Sequence, residues 1–452
     1  MSVDERDLRA DYVISRRVRR RGLAVSLAAV LLASMAVPSG AESAADTIRR
    51  WPSGTILLPF EDLEGLLLLP ATITGQGGRD TSGVLVLDTG AGFLALDRRL
   101  ATWAGIADSI TAGVAIGVTA RPLPRLTLGA LQIDQSNPVM TIDGEIVRSV
   151  TDRNVLGLLG ELPMSDRAVH IDFRADRIAL IPSAPSDSDA TFGARLRDSK
   201  AAIDVLRPTA HAIAMRLAGD GKILVQAVIR NSAGQRSGSP LTLILDTGST
   251  KCVLFERSLS RIPAHAKWKA VHGLTAPTLL GSASASIARV PRFALDSAGD
   301  GAEIAGLDVA LIQSPLAQQL SGAVGQRVDG LLGVSFLARF EVAIDYPHRI
   351  LWLDPIRPWK DPRPYEYCHV GLQLERRGDR LTVAGLVENS PAASAGVRVG
   401  DDLVSVNGRS VDGQDVSVVN RLLEGPPGTR VTIGTRREGT VARHRLTRRR
   451  LL

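Results

Sequence analysis

Two apolar runs end in the same three residues. Val86-Leu87 leads into Asp88-Thr89-Gly90-Ala91, and Ile244-Leu245 leads into Asp246-Thr247-Gly248-Ser249. A further apolar run precedes each, Leu67 to Ile73 and Ile223 to Ile229, with a Gly-containing turn between, so each copy predicts a pair of strands whose second member delivers an Asp to a tight turn. Downstream come Gly157-Leu158-Leu159-Gly160 and Gly330-Leu331-Leu332-Gly333. At equal spacing after these lie Ile171-Asp172-Phe173 and Ile344-Asp345-Tyr346, each followed by an Arg-Ile strand. Four matched elements in one order make an internal repeat, and a repeat is an architectural signal.

A single Asp-Thr-Gly is most often an ordinary turn. Two in comparable settings supply something else, a pair of carboxyls that can be brought to about 3 Å, where like charges cannot both ionise and one proton is shared. The ionised partner can take a proton from water while the protonated one polarises a carbonyl. The matched settings of Asp88 and Asp246 therefore predict carboxyl oxygens within hydrogen-bonding reach of each other.

On these residues the chain resembles the bacterial retropepsin-like aspartic peptidases that carry two Asp-Thr-Gly units, over roughly Ser53 to Pro182 and Ala214 to Asp354. The resemblance implies an all-β fold, two β-barrel lobes related by pseudo-twofold symmetry, with Asp88 and Asp246 catalytic. It implies that Thr89 and Thr247 hydrogen-bond across the pseudo-twofold. Gly90 and Gly248 would permit the turn beneath each carboxyl. Leu159-Gly160 and Leu332-Gly333 would cross behind the two loops, the Gly letting backbone approach backbone. The second copy keeps the family pattern through Phe336-Leu337, whereas the first has Glu161-Leu162-Pro163-Met164 there. Ser249 stands where the first copy has Ala91, and a hydroxyl donating to Asp246 would make Asp246 the more easily ionised partner. Flap hairpins are expected at 112–121 and at 272–286; neither carries a Tyr.

A second kind of module follows Pro355, Pro358, Pro362 and Pro364, which stiffen a connector over 355–365. Asn389-Ser390-Pro391-Ala392, then Gly400-Asp401-Asp402, then Asn407-Gly408 resemble a bacterial PDZ domain, a small α+β unit, over 366–450. That family adds an extended peptide, often a free C-terminus, to a sheet edge. Gly371, Leu372, Gln373 and Leu374 match the carboxylate loop and edge strand that would do so here.

The remaining segments are an N-terminal stretch, 1–41, and a linker, 183–213, which opens on a Ser-, Pro- and Asp-rich run over 183–189 and continues with mixed helical spacing over 190–206. The first has five Arg between positions 16 and 21, an apolar run from Leu23 to Val37 and a small-residue end, the pattern of a secretory signal, the alternative being an anchor left in place. The pattern predicts an exported protein, periplasmic or membrane-anchored facing the periplasm. The formal charge of +7 resides in the two ends, so the body offers no phosphate-binding surface and nucleic acid is excluded as a partner. Seven His without ligand spacing and two isolated Cys give no metal site and call for no cofactor. The Cys are expected as buried free thiols, and His170 as a strand residue with its polar atoms satisfied.

Together these features predict an endopeptidase acting on extended protein segments, with PDZ-mediated recruitment of a peptide. Two alternatives compete with it. One is a catalytically silent scaffold whose PDZ domain binds protein C-termini. The other is an assembly in which the second lobe pairs with its counterpart in another chain.

Overall fold

A computed structural model describes residues 50–452, apart from 107–117, 120–122, 188–189, 204–208, 219–220, 279–280 and 296–301. The N-terminal signal pattern and most of the first flap candidate, of which strand Val118–Thr119 remains, lie outside the described residues. Residues 51–452 form one compact unit.

Each Asp-bearing strand is built into a curled sheet by the same device. In the first half, strand Asp80–Leu87 pairs antiparallel with Leu66–Thr74 and parallel with Val155–Leu159, Leu87 opposite Leu159. Val155–Leu159 also pairs antiparallel with Leu94–Asp97, so it threads between the strands on either side of the Asp88 turn. In the second half Leu241–Leu245 pairs with Ile223–Arg230 and, in parallel, with Gly330–Leu332, Leu245 opposite Leu332; Gly330–Leu332 in turn pairs with Cys252–Phe255. Ile223–Arg230 pairs again with Gly281–Leu295, which curls the second sheet onto itself. Gly is demanded at these crossings. A Cβ on Gly160 would overlap the Phe93 carbonyl oxygen, and one on Gly333 the Lys251 carbonyl oxygen.

The two Ile-Asp-aromatic strands meet. Arg167–Asp172 and Phe340–Asp345 pair antiparallel, Val169 opposite Ile344, at the centre of a six-stranded sheet to which each half gives three strands. A local twofold through this contact relates the halves, and one continuous apolar core runs from Leu69 and Leu87 to Leu245 and Phe336. Burying that much apolar surface in one cluster ties the lobes together without a disulfide; Cys252 and Cys368 are free and buried, and burial pushes the Cys252 thiol up to about 11.

The segment between the halves is pinned. Ser183 and Ser199, the latter on helix Phe192–Ala202, donate to the fully buried Asp345 at 3.1 and 2.5 Å, and His348 Nδ1 lies 2.7 Å from the same carboxylate. His170 differs from expectation: neither ring nitrogen makes a hydrogen bond. Its ring meets Trp51 edge to face at 5.3 Å, and Glu341 stands 3.7 Å away.

The C-terminal module has its own core around Val383, Leu403, Val419 and Ile433. Its sheet starts at strand Leu372–Arg377, which pairs with Arg380–Leu386 on one side alone. Helix Val416–Leu423 packs against that edge strand.

Candidate active site

The two Asp-Thr-Gly turns face each other across the local twofold. Each carboxyl lies against the glycine of the opposite turn. A Cβ on Gly90 would sit 2.7 Å from Asp246 Cγ, and one on Gly248 would sit 2.7 Å from Asp88 Cγ. The two carboxyls are therefore close enough for the charge of one to act on the other. Among the described residues, the structure thus brings Asp88 and Asp246 together within one chain.

Behind them the threonines interlock. Thr89 N donates to Thr247 Oγ1 at 3.1 Å, and Thr247 N to Thr89 Oγ1 at 3.1 Å. The hydroxyls donate onward, Thr89 to the Leu245 carbonyl at 3.0 Å and Thr247 to the Leu87 carbonyl at 2.8 Å. Both threonines are fully buried. Each hydroxyl therefore both donates and accepts, and the four bonds fix the separation of the loops that carry the acids. Asp88 N and Asp246 N donate at 3.0 Å to Leu159 O and Leu332 O, which is how the two crossing strands hold the turns from below.

The two carboxyls are not equivalent. Burial raises the pKa of both, because the charged form loses water. For Asp88 the rise is moderated. Its Oδ1 accepts from Gly90 N at 2.9 Å and Ala91 N at 3.1 Å, as Asp246 Oδ1 accepts from Gly248 N at 2.9 Å, and what Asp88 has in addition is the favourable positive field of Lys222. Asp246 is held well above the usual carboxylate range, burial first and the Asp88 charge second. The asymmetry expected from Ser249 is thereby corrected. The Ser249 hydroxyl donates to the Lys251 carbonyl at 2.8 Å, turned toward its own strand, so it does not favour ionisation of Asp246, and the positive field of Lys222 falls on Asp88 instead.

Two nearby residues had no clear sequence signal. Tyr346, the aromatic of the second Ile-Asp-aromatic element, is buried with its hydroxyl lacking a hydrogen bond. Its pKa is pushed far up by burial, then by the charges of Glu161 and Asp88. Only the contrast with Phe173 at the matched position hinted at a polar role. Lys222 follows a turn in which Gly221 approaches Glu161 of the first half, a contact that only the folded chain creates.

In the C-terminal module, Gly371 has φ +91° and a Cβ there would overlap Ser390, so this loop requires Gly. Leu372 and Leu374 belong to the module's own core rather than to an open pocket. Gln373 faces the second lobe. Its amide accepts from Thr275 N at 2.9 Å and donates to Thr275 O at 2.6 Å, gripping strand Ala270–Thr278 of the second-lobe hairpin in which the second flap was expected.

Residues 233–336 match the aspartyl protease family, and residues 382–437 match the PDZ domain. The chain is 28% identical over 74 residues to a probable CtpA-like serine protease of Staphylococcus saprophyticus, and 33% identical over 70 residues to the carboxy-terminal processing protease CtpA of Bacillus subtilis. Each match takes 16% of this chain and 15% of the relative, so the chain spans about 15% of the length of these curated relatives. An aspartic proteinase from Irpex lacteus is 12% identical with a TM-score of 0.39, covering 67% of this chain and 98% of that one, and nothing is transferred from it.

Proposed function

We propose that this chain, an acid-protease fold of two lobes joined to a PDZ domain, is an aspartic endopeptidase whose catalytic pair is Asp88 and Asp246. The observation that carries the proposal is geometric: within one chain each buried carboxyl rests against the glycine of the opposite Asp-Thr-Gly turn, and burial raises the pKa of both. Such a pair shares one proton over the working pH range. Asp88, the better-stabilised anion, takes a proton from the attacking water. Asp246, protonated, donates to the oxygen of the scissile carbonyl as charge develops there. The tetrahedral species then collapses as the leaving nitrogen takes a proton from Asp88 and one of the two hydroxyls on carbon returns a proton to Asp246, so the pair regains its starting state without a covalent intermediate. Thr89 and Thr247 act as positioning residues, and the substrate is an extended protein segment lying over both turns.

The basic and apolar N-terminal pattern supports export, with the enzyme working in the periplasm or anchored facing it. The binding-only scaffold is disfavoured because a scaffold has no use for two carboxyls held at the energetic cost of mutual repulsion. The deciding experiment uses casein unfolded by reduction. Asp88→Asn and Asp246→Asn should each lower kcat/KM by about 10²–10⁴, the range expected for losing general acid–base catalysis. Retention of full activity in either variant overturns the assignment.

A further inference from the structure

The groove of the PDZ module is filled by the chain's own first lobe. Its walls are the edge strand Leu372–Arg377 and helix Val416–Leu423, and helix Glu145–Thr151 packs against both. Asp152, the left-handed C-cap of that helix at φ +53°, carries the contact. Its carboxylate accepts from Arg376 Nε and from Val416 N, the latter at 2.8 Å and at the start of the groove helix. Beside it, Arg153 pairs with Asp415 at 3.1 Å and with Glu61 of its own lobe at 2.7 Å. The Glu145–Thr151 helix is held from within its lobe as well, since Asp97 accepts from Arg148 at 2.7 Å and from Gly144 N at 2.9 Å. What space remains where Ser149 and Val150 meet Gln373 and Leu374 is about 110 Å³.

We propose that this contact is a self-occupied ligand site, opened by an extended peptide that ends in a free carboxylate and carries an acidic residue at the Arg376 end. The chemistry of the occupant sets the chemistry of the competitor. Among the described residues edge strand Leu372–Arg377 has no strand partner beyond Arg380–Leu386, so an incoming peptide can pair along it. With its terminus at Gly371, the residue four positions earlier falls opposite Arg376, where its carboxylate replaces that of Asp152. The resident contact is built to yield. It rests on two ion pairs, the half-exposed Arg153–Asp415 pair and the more buried Arg376–Asp152 pair, and among the described residues it forms no backbone ladder with the edge. Displacing it leaves the module attached to the second-lobe hairpin through Gln373 and through Glu388 N to His272 O at 3.2 Å, so module and hairpin part from the first lobe together.

The test uses the full chain and a labelled hexapeptide, Ser-Asp-Ala-Thr-Ala-Val, with a free C-terminus. Neither readout depends on catalysis, so failure here is distinct from failure of the peptidase assignment. Asp152→Asn removes the charge that meets Arg376 and should tighten peptide binding about tenfold, since apparent affinity scales with the open fraction. Arg153→Gln, which cuts the second tie and spares the cap, should tighten it by a smaller factor and covers the case in which the first variant folds poorly. Replacing the peptide's Asp by Ala should weaken binding severalfold. On binding to the wild type, deuterium uptake across 145–153 should rise. Equal affinity for the wild type and both variants, or binding without added uptake across 145–153, overturns the proposal.

Discussion

Gly90 and Asp246 approach so closely that a Cβ on Gly90 would stand 2.7 Å from the Asp246 carboxyl carbon, although 155 residues of sequence separate them. Gly248 stands in the same relation to Asp88. The glycines therefore do more than permit a turn; each forms the wall against which the opposite acid rests. Gly90→Ala and Gly248→Ala should each push a carboxyl off its partner and lower kcat/KM by at least about 10², the scale of a 1 Å misplacement. Far-UV circular dichroism should stay unchanged. Wild-type turnover by either variant would show that the carboxyls tolerate displacement.

The threonine interlock makes a prediction about stability. Thr89→Ala removes a hydroxyl that accepts from Thr247 N and donates to Leu245 O, leaving both groups buried without partners. A buried unsatisfied group costs about 1–3 kcal/mol, so Thr89→Ala should destabilise the lobes by about 2–4 kcal/mol in urea titration. Thr89→Ser keeps the oxygen and should recover most of the loss. If Ser and Ala cost the same, the methyl group rather than the hydroxyl matters there.

The dyad's asymmetry can be read from the acid limb of the pH–rate profile. Lys222 contributes a positive field at Asp88, so Lys222→Met should raise the pKa of the ionised partner and move the acid limb to higher pH. Ser249→Ala should leave that limb where it is, because the Ser249 hydroxyl donates to Lys251 O at 2.8 Å. The measured values belong to the coupled pair, so the comparison is between variants rather than between residues. A shift with Ser249→Ala and none with Lys222→Met would reverse the assignment.

The same shift has a consequence for folding. Asp246 has a folded-state pKa well above its unfolded value. Between those two pKa values the folded state binds more protons than the unfolded one, so stability falls as pH rises through that window. Below the unfolded pKa the acid is protonated in both states and costs nothing. Asp246→Asn should therefore match the wild type in acid and exceed its Tm by a few degrees at neutral pH. Equal Tm at both pH values would mean that the carboxyl is not strained.

How much of this was legible in the sequence depends on which residues a motif constrains. Asp88-Thr89-Gly90, Gly160 and their second-half counterparts sit where backbone meets backbone, and such places admit few residue types, so they show in one sequence. The central pairing of Val169 with Ile344 was not read from the sequence, since the repeat marks the two strands as equivalent and only the fold sets them side by side. Ser249 was misjudged because a hydroxyl has more than one acceptor within reach, and only the fold decides which it takes. Lys222 and Asp152 act through partners far off in sequence, and neither lies in a repeated motif. The start of the 183–213 segment has a linker composition, yet Ser183 and Ser199 are buried and bond Asp345, since composition says nothing of what a serine finds in the fold.

Gln373 offers the clearest test of whether the PDZ module restrains the second-lobe hairpin. Its amide makes three hydrogen bonds to Thr275, accepting from the backbone N at 2.9 Å and from Oγ1 at 3.2 Å and donating to the backbone O at 2.6 Å. Leu372 and Leu374 on either side point into the module's core, so charging them would unfold the module and say nothing about the contact. Gln373→Ala leaves the core intact and removes the grip. Net hydrogen bonds are worth about 0.5–1.5 kcal/mol each, so local opening of the hairpin should become easier by about 1–3 kcal/mol. Hydrogen exchange over 270–278 should accelerate by about one to two orders of magnitude while exchange in the Phe340–Asp345 strand of the central sheet stays as in the wild type. Unchanged exchange at 270–278 would show that the hairpin holds its position without the module.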